Sequence, residues 1–185
     1  LEKSLEFVSY FVHPGGSFSG EYASRNCEVF YPGGIAFLAR HYPKAAALIE
    51  WAAGSFQAAT TVTPLAADRQ TLAPLYGNIL FARRQLEQGN VKAAEELPFK
   101  KPSFEKEFPA AGISIYNTPQ SYTVIGWKKG GVVKSFDKQT GRMILEDTGP
   151  VCGEKDFLWT TQVLSEDHRT EKTDGGLLLD LAVFR

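Results

Sequence analysis

The chain has 185 residues, 43% of them hydrophobic and 22% charged, with a formal net charge of -1. That is enough apolar material for one domain or two small ones with a real core. Charges of both signs are mixed along the chain, so no basic stripe points to nucleic acid. The longest apolar runs, such as 45–49 and 177–179, fall far short of a membrane span. Cys27 and Cys152 lie one in each half and match no metal spacing; two thiols are preferred over a disulfide.

The first half carries helical periodicity. Leu1, Leu5, Val8 and Val12 recur at three- and four-residue steps, and His13-Pro14-Gly15-Gly16 stops that helix. A second helical stretch is expected from about Asn26, interrupted at Pro32-Gly33-Gly34 and resumed through Ile35 to Ala39. Pro43 suits the first turn of a third helix that includes 45–53, and 54–70 reads as a long connection. In the fourth helix Leu72, Leu75, Tyr76, Ile79 and Leu86 make one apolar stripe that Gly89 closes. Short-looped helices in series predict antiparallel hairpins stacked side by side.

Residues 92–110 hold three prolines and dense mixed charge, the chemistry of a linker. Beyond them the period changes to two. Strands are expected at 113–116, 122–127, 132–136, 142–146, 157–164 and 177–184, with Asn-Thr-Pro, Gly-Gly and Asp-Gly-Gly turns between. The predicted organisation is therefore α+β: a helical segment over 1–91, a linker over 92–110 and an antiparallel β-sheet over 111–185. Both ends of the chain fall within periodic patterns, LEKSLEFVSYF and GGLLLDLAVFR, so the expectation is a piece cut from a longer protein. Open sheet edges in such a piece predict self-association.

The segment with most chemistry is 13–34, HPGGSFSGEYASRNCEVFYPGG. Glycines allow close backbone approach, and aromatics interleaved with Glu, Arg and Asn suit a sugar-like surface. If a helix begins near Tyr22, then Tyr22 and Asn26 share a face with Arg25 adjacent. The plainer alternative has Ser24 capping that helix, Arg25 pairing with Glu21 or Glu28, and the aromatics filling the core. Elsewhere, His41 at a helix end complements the dipole. His168, Glu166, Asp167 and Asp174 read as solvated loop charge, and Trp127 and Trp159 as sheet core. P-loop, dinucleotide, serine-hydrolase and zinc-protease motifs do not occur, and no cofactor or metal is expected.

The stretch HPGGSFSGEYASRNCEVFYPGGIAFLA resembles a late toroid segment of heparinase II/III-like proteins, with Ala23 where that pattern has Gly and Cys27 where it has Thr. YTVIGWKKGGVVKSFDKQTGRMILEDTGPVCG resembles the start of the β-sandwich that follows the toroid. The resemblance covers roughly residues 1–160. It implies helical hairpins of an incomplete (α/α) toroid leading into a β-sandwich. Its implied function is a polysaccharide lyase that cleaves uronic-acid glycans by β-elimination, in the periplasm or outside the cell. In that chemistry a cation or amide neutralises the uronate carboxylate, and a Tyr or His moves the C5 proton. Tyr22, Asn26 and His13 are the implied catalytic candidates, and Arg25, Glu21 and Tyr31 the implied substrate contacts. The alternatives are a non-catalytic carbohydrate-binding or scaffold piece of that fold, and an unrelated α+β domain. The implied partner is an acidic polysaccharide.

Overall fold

The computed structural model describes residues 1–23, 28–154, 157–163, 168–173 and 176–181. It is an α+β protein, with helices first and antiparallel sheet after. The chain parts into two compact units, 1–19 with 26–101 and 20–25 with 102–185. Composition alone places the change over 92–110; the structure places it near 101 and assigns 20–25 to the sheet unit.

The helical unit holds α1 (Glu2–Ser9), α2 (Pro32–Leu38), α3 (Pro43–Ala58) and α4 (Arg69–Glu87). Pro43 opens α3 as expected, and Ala45, Ala46, Leu48 and Ala52 bury its inner face. The first helix stops at Ser9, short of Val12, because Val12 pairs with Phe18 as an antiparallel bridge. Pro32-Gly33-Gly34 is the first turn of α2, a correction to its reading as an interruption. Proline has no N–H to lose at that position and its φ is already helical. Gly33 then donates its N–H to Asn78 Oδ1 at 3.1 Å. A Cβ on Gly33 would come 2.7 Å from that oxygen, so glycine lets α2 close on α4. Asp68 caps α4 by accepting from Gln70 N (2.8 Å) and Thr71 N (2.7 Å).

The α4 stripe is also corrected. Leu75 and Ala82 are buried, but Leu72 and Tyr76 are 41% and 54% exposed. Leu75 and Ala82 lie seven residues apart, nearly the same direction around the helix, whereas Tyr76 is turned about 100° from Leu75.

In the sheet unit, β1 (Phe104–Phe108), β2 (Ile113–Asn117), β3 (Ser121–Gly126), β4 (Val132–Asp137) and β5 (Met143–Asp147) form an antiparallel meander in sequence order. Two further pairs follow, β6 (Val151–Glu154) with β7 (Phe157–Thr160) and β8 (His168–Thr173) with β9 (Gly176–Leu181). Ile113, Ile115, Tyr122, Val124, Val132 and Phe136 make the buried side of the meander. Strand β1 falls inside the stretch expected to be linker. Its sequence, Phe-Glu-Lys-Glu-Phe, exposes three charges on an edge strand, a pattern that discourages further pairing. The other edge, β5, carries a register irregularity opposite Ser135 and Phe136.

Candidate functional site

The 13–31 segment is divided between the two units, so its residues are built in two places. In the helical unit, His13 N donates to Ser17 O (3.0 Å) and closes a tight hairpin. The His13 ring is fully buried, with Nδ1 2.9 Å from Ser17 Oγ. The His13 carbonyl accepts from Trp51 Nε1 at 3.1 Å. Phe18, Phe30 and Trp51 pack edge to face beside it, with centroids 5.2 Å apart for Phe18–Phe30 and 5.3 Å for Phe30–Trp51. This fastens the hairpin to α3.

In the sheet unit, a turn closed by Ala23 N donating to Gly20 O (3.0 Å) presents Glu21 and buries Tyr22 to 2% exposure. Glu21 meets Lys134 Nζ at 2.7 Å, and the same ammonium meets Glu146 at 2.9 Å. Lys134 and Glu146 face each other across the β4–β5 ladder, so the hairpin register itself makes this pair. A Cβ on Gly20, whose φ is +132°, would come 2.5 Å from Lys134 Nζ; glycine leaves room for the ammonium. Burial alone would raise the Glu21 carboxyl, but Lys134 and a backbone hydrogen bond outweigh it and hold Glu21 below the usual carboxylate range. Burial likewise opposes the charge on Lys134, and its two glutamates overcome it and raise its pKa.

Beside Glu21 opens a cleft of about 210 Å³, lined by Glu21, Lys129, Val132, Thr148 and Gln162. Gln162 Nε2 donates to Thr148 Oγ1 (3.0 Å) and Gly149 O (3.3 Å), which orients the amide along the wall. Behind it, Thr161 Oγ1 donates to Gly130 O at 2.9 Å and ties 161–162 to the β3–β4 turn. The cleft thus offers an ammonium, a carboxylate, a hydroxyl and an amide around one apolar contact, a set of donors and acceptors able to hold a polar ligand.

Of the six residues singled out in the sequence, Glu21 and Tyr22 fall in the sheet unit, and His13 and Tyr31 in the helical unit. Tyr31 precedes α2 and is 42% exposed. Arg25 and Asn26, with Ser24 and Cys27, lie outside the described residues. Lys129, Lys134, Glu146, Thr148 and Gln162 were not anticipated. One signal was present, in that Lys134 breaks the apolar run Val132-Val133…Phe136; Glu146 comes opposite it through the register shift at Ser135 and Phe136. Among the described residues, no group of three or more His, Cys, Asp or Glu side chains is placed to hold a metal ion. No helix described is long and apolar enough to cross a membrane. Cys152 is an exposed free thiol.

No protein-family model matches the chain, and neither a curated protein nor a solved structure matches it significantly.

Proposed function

We propose that the chain is the helix-to-sheet part of a heparinase II/III-like protein and that it binds an acidic polysaccharide. The cleft beside Glu21 is the observation that carries this reading. Lys129 supplies the cation that a uronate carboxylate needs, and Thr148 and Gln162 supply partners for ring hydroxyls. The order of helices then antiparallel sheet is consistent with the resemblance, although fold alone assigns no activity.

The full burial of His13 and the 2% exposure of Tyr22 favour a supporting role for both, and with it the binding or scaffold form of the proposal. In the lyase form a cation or amide neutralises the uronate carboxylate and a tyrosine or histidine moves the C5 proton. The two forms separate in one experiment. The folded protein is titrated with a panel of uronate oligosaccharides while near-ultraviolet absorbance is followed. Binding weakened about tenfold by Lys129→Glu, without a rise in absorbance, supports the binding form. An absorbance rise from an unsaturated product establishes the lyase form. Absence of binding across the panel overturns both.

A further inference from the structure

The cleft beside Glu21 is framed by segments in backbone contact. Gly130 has φ +75°, and a Cβ there would run into the Thr161 carbonyl. Gly149 has φ +95°, and a Cβ there would come 2.8 Å from Gly130 O. The turns at 130 and 149 and the 161–162 segment therefore meet closely, and the 2.9 Å bond from Thr161 Oγ1 to Gly130 O pins them. Polar groups on such a frame have little freedom to turn toward a ligand, so the frame fixes their donor and acceptor pattern beforehand.

The bonds already made define that pattern. The Gly149 carbonyl can only accept, so the Gln162 atom it meets is Nε2, which gives its two protons to Gly149 O (3.3 Å) and Thr148 Oγ1 (3.0 Å). The amide then has only Oε1, an acceptor, to offer a ligand. Glu21, paired with Lys134, is a carboxylate and likewise only accepts. The donors are the Lys129 ammonium and the Thr148 hydroxyl, which accepts from Gln162 and keeps its own proton to give. Lys129 and Lys134 balance the charges of Glu21 and Glu146, so no surplus of positive charge faces the cleft.

Building on the reading of this cleft as a uronate site, we propose that it selects uronate sugars with free ring hydroxyls and rejects their O-sulfated forms. The uronate carboxylate pairs with Lys129 and accepts from Thr148, while hydroxyls donate to Glu21 and to Gln162 Oε1. A sulfate ester has no proton to give. It sets oxygen against oxygen at Gln162 and anion against anion at Glu21, and leaves both acceptors unpaired.

Calorimetric titration with two uronate oligosaccharides of the same backbone and length, one with free hydroxyls and one O-sulfated, tests it. The unsulfated sugar should bind the protein at least about tenfold more tightly. Glu21→Gln supplies an amide that can donate, and Gln162→Met removes the Oε1 acceptor; each should narrow that ratio. A purely structural loss would weaken both sugars alike and leave the ratio as it was. An O-sulfated sugar that binds equally or more tightly overturns the selectivity and leaves the uronate reading standing. A ratio that neither substitution moves overturns the roles given to Glu21 and Gln162. Failure of both sugars to bind overturns the uronate reading and this inference with it.

Discussion

Each unit holds a lysine between two glutamates, yet the two clusters are built differently. In the helical unit, Lys44 Nζ meets Glu6 of α1 at 2.9 Å and also pairs with Glu95, so one ammonium ties α3 to two segments distant in sequence. In the sheet unit, Lys134 joins a neighbour across its own hairpin, Glu146, to the 20–23 turn through Glu21. The Lys44 side chain keeps 15% of its exposure and the Lys134 side chain 7%. Only the Lys134 cluster borders the polar cleft, where Glu21 forms part of the wall. A lysine between two carboxylates is thus a fastening in one unit, and in the other a fastening that also sets a carboxylate in the wall of a polar cleft. The surroundings decide which.

The comparison is broken most sharply at Lys134. Lys134→Met leaves two carboxylates facing one another in a partly buried place. The loss should be about 2–4 kcal/mol, below the figure for a sealed pair because both glutamates are more than a third exposed. Urea denaturation followed by fluorescence measures it, and a loss under about 1 kcal/mol would contradict the clamp. Lys44→Met should cost less, about 1–2 kcal/mol, because its ammonium is the better solvated. If Lys44→Met proves the costlier, then the reach across distant segments, rather than burial, sets the strength of these clusters.

The smallest effect sharpens the chemistry of the Lys44 cluster. Burial, with a hydrogen bond to Glu6, pushes the Tyr10 phenol up to about 12. Its raised pKa adds stability that is complete below pH 10 and is lost as pH rises toward 12, while the unfolded chain ionises first. Glu6 and Glu21 behave in the opposite sense. Burial would raise them, but Lys44 and Lys134 hold both below 4.5, so their stability is present above that pH and is lost as pH falls through the lowered values. An ultraviolet titration should find the Tyr10 phenol ionising late, and Glu6→Gln should move it to lower pH without returning it to 10.

Much of the fold could be read locally. Pro43 opens a helix because it needs no N–H there, and β2 to β5 follow from alternating apolar residues between Gly and Asn turns. Strand β1 escaped because its interior is Glu-Lys-Glu between prolines; its pairing comes from the backbone of β2, not from apolar side chains. The first turn of α2 escaped because Pro-Gly-Gly reads as a break unless α4 is there to receive Gly33. Of the residues lining the candidate cleft, Glu21 comes from the glycine-rich segment, but Lys129, Thr148 and Gln162 come from segments far along the chain. No local pattern joins those positions.

By itself, then, the sequence determined most of the element types and the helix-to-sheet order, because each follows from backbone preference or period within a short window. Only the tertiary structure decided that 20–25 belongs with the sheet unit, that His13 and Tyr22 are buried, and that one side of α4 stays exposed. These outcomes depend on which surfaces pack together, and packing is settled by elements that lie far apart in the chain.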